Sequence, residues 1–214
     1  FSDIVILEED TIISLINNYT MEPGVRKLKE LLFDLYGEIN IELLKNENPD
    51  IKLPIKLTLD DIENKYLKKN MKIREKVIHP EPTVGVINGL WVNILGKGGI
   101  IAIEASFCPA NALTELKLTG LQGDVMKESM NVSKTLAWNM TNKKIQNKLQ
   151  KEHEENKSTG IHIHCPEGGV SKDGPSAGTA ITLAIYSLLN NKKINNTVAI
   201  TGEIDLLGNV TAIG

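Results

Sequence analysis

The apolar period of this chain changes once, near residue 75, and that change constrains the fold more than any single motif. Before it, apolar residues recur at helical spacing. In "EPGVRKLKELLFDLYGEINIELLK", Val25, Leu28, Leu31, Leu32, Leu35 and Ile39 fall on one face. "LEEDTIISLINNYT" predicts a shorter helix, acidic at its start and followed by Ile12, Ile13, Leu15 and Ile16. Pro23 suits a first helical turn, and Thr58 with Asp61 makes a capping-box pattern at the head of a third helix, "TLDDIENKYL". Between them, "IKLPIKL" reads as a short extended connection.

Beyond the linker "NMKIREKVIHPEPT", where Pro80 and Pro82 interrupt any helix, strand patterns take over. "TVGVINGLWVNIL" and "GIIAIEAS" flank the turn-forming "GKGG" and predict a β-hairpin. "LTELKLT", "IHIHC" and "NTVAIT" predict further strands, and "GEIDLLGNVTAIG" a second hairpin. "GDVMKESMNVSKTLAWNM" spaces Val125, Ser129, Val132, Leu136 and Met140 as a helix stripe, while "KEHEENKSTG" reads as a charged, solvated loop. The expectation is an α+β chain in two domains, a small helical module over residues 1–75 and a mixed domain over 76–214.

Composition narrows the function classes. With 41% hydrophobic residues in 214, the chain can bury a real core, and its net charge of −3 gives no pull toward nucleic acid or an anionic membrane. No apolar run reaches membrane-spanning length. Two cysteines, Cys108 and Cys165, argue against a disulfide framework. His162 and His164 share one side of their strand beside Cys165, but zinc wants three or four convergent ligands and no second Cys/His cluster follows, so no metal is expected. The chain opens on Phe1 without a signal pattern and reads as a processed or excised piece.

The chemistry concentrates in "PEGGVSKDGPSAGTAITLAIYSLL", residues 166–189. Pro175 suits a first helical position, and an apolar stripe through Ile181, Ile185 and Leu188 follows, so Ser176 lies in a first turn. Unpaired backbone N–H groups and the helix dipole there favour a developing negative charge. The same letters also make a tidy helix start with no chemistry, and the local pattern leaves both readings open. "GPSAG" matches the nucleophile elbow G-x-S-x-G, whose histidine follows the serine. All four histidines here precede Ser176, which removes that reading, and Thr179 removes an S-x-x-K arrangement.

Taken in order, "GVINGLWVN", "LTGLQGDVMKES", "HIHCPEGGVSKDGPSAG" and "VAITGEIDLLGNVTAIG" closely resemble the proteolytic domain of the Lon proteases, ATP-dependent Ser-Lys peptidases. "YTMEPGVRKL" is similar to the lid subdomain of that family's AAA+ module. The resemblance implies that Ser176 is the nucleophile and that Thr201 supports the catalytic pair. It also implies that Arg26 contacts nucleotide phosphates, a task for a permanently charged, bidentate guanidinium. Asp173 caps a helix or touches the pair, and Glu104 is read as a solvated or interface carboxylate.

By the same resemblance the catalytic lysine lies just beyond Gly214, so the 214 residues alone are expected to be inactive, and because they hold no Walker A, Walker B or arginine-finger segment they are expected neither to bind ATP tightly nor to hydrolyse it. The intact protein would use ATP with Mg2+, form a homo-oligomeric ring (hexameric in the family), and degrade unfolded or damaged proteins. The mitochondrial matrix or another organelle is the expected compartment, with a bacterial cytoplasm as the alternative. A catalytically degenerate domain acting in assembly or binding is the second reading. Departures from the family pattern are Gly169, Val170 and Ser171 before the serine, the order in "GLQGD", and "MEPGVR" around Arg26.

Overall fold

A computed structural model describes residues 3–20, 22, 24–45, 52–73, 78–92, 98–166 and 172–213. Helix and sheet are mixed throughout, an α+β architecture. The chain divides into two compact units, Phe1–Glu75 and Lys76–Gly214, each with its own core.

In the first unit, strand β1 (Val5–Leu7) leads into helix α1 (Glu9–Leu15), which continues as a π-helical turn over Ile16–Thr20. Helix α2 (Arg26–Lys45) buries Leu31, Leu35 and Ile39, the centre of the apolar stripe. Val25 precedes the helix and is 69% exposed, so it does not join the stripe expected of it. Pro23 lies outside the described residues. Strand β2 (Ile55–Leu57) pairs in parallel with β1, Val5 opposite Ile55 and Leu7 opposite Leu57, so the extended connection is a paired strand. The one-turn helix α3 (Leu59–Asp61) carries the capping box. Thr58 Oγ1 accepts from the Asp61 amide, and Asp61 Oδ2 accepts from the Thr58 amide. Val5, Leu15, Leu31, Leu35, Ile39, Leu57, Ile62 and Leu67 close the core.

The second unit is a five-stranded sheet with helices on its apolar face. Strand β3 (Thr83–Val84) is followed by β4 (Val86–Val92) and β5 (Gly98–Cys108), an antiparallel pair in which Ile87 faces Ile103. Strand β6 (Leu116–Thr119) precedes helices α4 (Asp124–Met140) and α5 (Lys143–Asn156), and β7 (Gly160–His164) returns to the sheet. Helix α6 (Gly178–Asn190) is followed by β8 (Lys193–Ile194), β9 (Ala199–Ile200), and a hairpin of β10 (Glu203–Ile204) with β11 (Val210–Thr211). The sheet order is β6-β7-β5-β4-β9, and β3 pairs separately with β8.

Period-two alternation puts Ile103, Ala105, Ile161 and Ile163 on one face of the sheet, where they meet Ala180, Ile181, Ala184 and Ile185 of α6. Ile181 and Ile185 are fully buried, each worth roughly 1.5–3 kcal/mol on the usual transfer scale. α4 packs on α6 through Met126, Ser129, Met130, Ser133, Leu136 and Ala137. That is the expected helix turned by about one residue, because Val125 and Met140 are exposed, and Val132 is only half-buried. Ser129, Ser133 and Ala137 alternate with the larger Met126, Met130 and Leu136 on this face, and the small ones let the two backbones approach.

The stretch "KEHEENKSTG" is not a loop. α5 runs through it to Asn156 and ends at Lys157, in left-handed conformation at φ 50. Lys, Gln and Glu are good helix formers, and Asn142 caps the helix by accepting from the Lys144 amide at 2.8 Å. Leu149 and His153 lie one turn apart on its buried face, and the Thr159 hydroxyl meets His153 Nδ1 at 2.9 Å. Among the described residues, no helix is long and apolar enough to cross a membrane.

Candidate active site

Ser176 is the middle residue of a 3-10 turn, Pro175–Ala177, that runs directly into α6. Pro175 presets the helical φ and lacks the N–H that a first turn would leave unpaired. Gly174 precedes it at φ 110, a conformation open to glycine. The start of α6 is thus a tighter turn than the plain α-helical one expected.

Residues from the far side of α6 hold this turn. The Gly202 amide donates to the Ser176 carbonyl at 2.7 Å, and the Thr201 hydroxyl donates to the same oxygen at 3.1 Å. In return the amide and hydroxyl of Thr179 donate to the Gly202 carbonyl at 3.0 and 2.9 Å. Thr201 therefore touches the backbone of Ser176.

Asp173 does not cap the helix it precedes. Its Oδ1 accepts from the Met126 amide at 3.0 Å and from the Gly174 amide at 2.9 Å, so it caps α4 from outside. The N-cap position of α4 is Gly123, which has no side chain to do this. Hydrogen bonds from Met126 and then Gly174 hold the Asp173 carboxyl below the usual carboxylate range. On the other side of the same loop, Lys172 pairs with the strand extension at Gln122: its amide donates to Leu121 and its carbonyl accepts from Gly123. Residues 172 and 173 are thereby fixed to the 121–123 segment and to the start of α4. The departures at Gly169, Val170 and Ser171 lie outside the described residues.

His162 and His164 do share one face, and one hydroxyl serves both. Thr119 Oγ1 lies 2.9 Å from His162 Nε2 and 2.8 Å from His164 Nδ1. A hydroxyl has a single proton, so it can donate to only one of the two rings and accepts from the other. Burial, then the Lys117 charge, then His164 push the His162 pKa down, favouring its neutral form. Glu104 stands opposite His164 in register and is half-buried. Burial pushes the Cys165 thiol up, so the buried cysteine is held protonated. Among the described residues, no group of three or more His, Cys, Asp or Glu could hold a metal.

The Lys172 ammonium donates to the Gly120 carbonyl at 3.1 Å, and Lys192 and Lys193 follow the distal end of α6. In the first unit, Arg26 opens α2 with its side chain 88% exposed and its Nε 3.0 Å from Glu30. Sequence reasoning did not find Thr179, Gly202, Ser129 or Ser133 as neighbours of the serine turn. The "TG" after the strand at 199–200 was the available signal for Gly202. Ser129 stands on the expected helix stripe, but nothing in the local pattern marks it or Ser133 as a partner of the serine turn, since that role depends on how two helices meet.

Residues 57–214 match a family model described as "Lon protease (S16) C-terminal proteolytic domain". Among curated proteins, a "Lon protease" of Finegoldia magna is 38% identical over 212 residues, covering 97% of this chain and 25% of the relative. A "Lon protease homolog" of Acanthamoeba polyphaga mimivirus is 33% identical over 268 aligned residues, covering 99% and 26%. A "Lon protease homolog 2, peroxisomal" of Pichia angusta is 32% identical over 223 residues, covering 100% and 23%. The chain thus spans about a quarter of the length of the curated relatives it matches.

Proposed function

The chain belongs to the Lon protease family, and from that premise we propose that Ser176 is the nucleophile of an ATP-dependent serine endopeptidase. The observation that carries this reading is the turn at Pro175–Ala177, tied through the Ser176 carbonyl to Thr201 and Gly202. With its carbonyl held inward, a residue in a first turn has its N–H directed away from the bond network, where an oxyanion can use it.

In this reading Ser176 Oγ attacks the scissile carbonyl carbon while its proton passes to a lysine amine, which the family resemblance puts after Gly214. The tetrahedral oxyanion takes hydrogen bonds from turn N–H groups. It then collapses to an acyl-enzyme as the leaving amine takes up the proton, and water releases the acyl group by the same route. Thr201 positions the turn from its carbonyl side. Asp173 acts one step further out, joining the loop to α4.

The first unit supplies the nucleotide side of the proposal. An exposed Arg26 guanidinium, held only in an i,i+4 surface pair with Glu30 among the described residues, exchanges partners at little cost and suits phosphate oxygens. ATP with Mg2+, bound mostly by parts of the parent protein outside this chain, would supply the energy for unfolding substrates. Unfolded or damaged proteins are the proposed substrates, and a homo-oligomeric ring, hexameric by family, the proposed assembly. A bacterial cytoplasm and an organelle both accord with relatives that include bacterial and peroxisomal proteins.

Labelling with a serine-directed covalent peptide inhibitor tests the nucleophile in the parent protein. The wild type should be labelled and Ser176→Ala should not. Equal labelling of both overturns the assignment.

A further inference from the structure

Four side-chain hydroxyls on α4 and its C-cap residue could bond within their own helix, and they divide into two groups. Thr135 and Thr141 donate to the carbonyls four residues back, Asn131 and Ala137, at 3.0 and 2.8 Å. Ser133 and Ser129 do not. Ser133 Oγ reaches across to the Gly178 carbonyl at 3.0 Å, and Ser129 Oγ, one turn earlier, to the Pro175 carbonyl at a longer 3.5 Å. Those two carbonyls bracket Ser176.

The approach is close. A Cβ on Gly178 would lie 2.8 Å from Ser129 Oγ, and Ser133 is completely buried. Serine is the residue that fits here. The Gly178 carbonyl also accepts from the Thr182 hydroxyl within α6 at 2.8 Å, so alanine at 133 would remove only the donor that crosses between the helices, and a larger polar residue would separate them.

We propose that Ser133, assisted by Ser129, is a positioning residue for the reaction at Ser176. The inference rests on the reading of Ser176 as the nucleophile. The 3-10 turn and the first residue of α6 are then held at three carbonyls. Ser129 takes the Pro175 carbonyl, Gly202 and Thr201 take that of Ser176, and Ser133 takes that of Gly178. The middle point resists sliding of the turn along the sheet side, and the outer two set its rotation about the α6 axis. Rotation is the motion that swings Oγ toward or away from an acyl carbon, and small errors in that angle carry large rate penalties.

The test uses the parent protein and the rate of Ser176 acylation by the same inhibitor. Ser133→Ala should slow acylation by about 10-fold or more, in line with the cost of misplacing a reacting group. KM for a peptide substrate should change by less than about two-fold, since ground-state binding is untouched. Ser129→Ala should slow acylation by a smaller factor, in keeping with its longer bond.

Met130→Ala, on the same helix face but without a hydroxyl, controls for packing. It should lower Tm at least as much as Ser133→Ala, yet leave the acylation rate of the folded protein near wild type. The proposal is overturned if Ser133→Ala acylates at the wild-type rate, or if Met130→Ala slows acylation as much as Ser133→Ala does. Labelling that persists in Ser176→Ala would instead show that the nucleophile reading has failed.

Discussion

The Gly202 amide donates a 2.7 Å hydrogen bond to the carbonyl oxygen of Ser176. Gly202 can do so because its φ of 154 and the space around it suit no other residue. A Cβ there would lie 2.6 Å from Val210 Cγ1 and 3.0 Å from Thr179 Oγ1. Gly202→Ala must therefore displace the β10–β11 hairpin or the Thr179 hydroxyl. We expect a loss of about 1–3 kcal/mol in urea unfolding, the usual cost of overpacking, together with slower acylation of Ser176. Wild-type stability and rate in this variant would mean that the hairpin moves aside without disturbing the turn.

Thr201 gives a finer cut at the same junction. Thr201→Val keeps the shape and removes the hydroxyl that reaches the Ser176 carbonyl at 3.1 Å, while the Gly202 bond stays. The expected loss is about 0.5–1.5 kcal/mol, that of one hydrogen bond. Acylation should fall less than in Gly202→Ala, and the two variants should be non-additive because they share one acceptor.

Acid should loosen the loop before Ser176. The Asp173 carboxyl is depressed by its bonds from Met126 and Gly174, so the folded state binds its proton less readily than the unfolded chain does. The stability it contributes is complete above its ordinary value near 3.9 and is lost as pH falls from there through the folded value. In thermal scans at a series of pH values, Asp173→Ala should lower Tm at pH 7 and flatten the acid-side slope. Parallel wild-type and variant curves would remove Asp173 from the account.

His162 produces a second slope at higher pH, with a different cause. Its folded pKa lies below the ordinary 6.5, so there is no effect while both states are neutral. Stability falls as pH drops below about 6.5, where the unfolded chain takes up a proton first, and levels off below the folded value. His162→Gln should erase that slope, measured by chemical unfolding between pH 7 and 5. Thr119→Val, which removes the hydroxyl between the two rings, should cost about 1–3 kcal/mol at pH 7.

The parts of this fold that were legible in the sequence are those with a local cause. Alternation on both sides of "GKGG" specifies the β4–β5 hairpin, and Thr58 with Asp61 specifies a helix start, because neighbouring residues supply every partner. The β1–β2 pair was not legible. Three-residue strands joined across some fifty positions leave no periodic trace. α5 was hidden by its charge, since its buried side rests on Gln146, Leu149 and His153 rather than on an apolar run.

The candidate site divides the same way. Pro175 and the glycines around Ser176 made a helix start legible there, whereas the roles read for Ser176 and Thr201 came from the family resemblance. Asp173 was visible as a capping residue, but its partner is α4, chosen by tertiary packing. The offset of the α4 stripe has a related origin. Apolarity favours Val125 and Met140 as the inward pair, whereas close approach to Gly178 selects Ser129 and Ser133.

The bond from Thr201 to Ser176 spans 25 positions, and Asn88 reaches forward 108 positions to the carbonyl of Asn196. A ribosome releasing this chain from its N-terminus therefore delivers the serine well before the segment that orients it. During that interval β9 has not yet joined the sheet beside β4, and the bonds from Thr201 and Gly202 to the Ser176 carbonyl are not yet made. The turn around the proposed nucleophile gains those bonds only once residues 199–202 have emerged and docked.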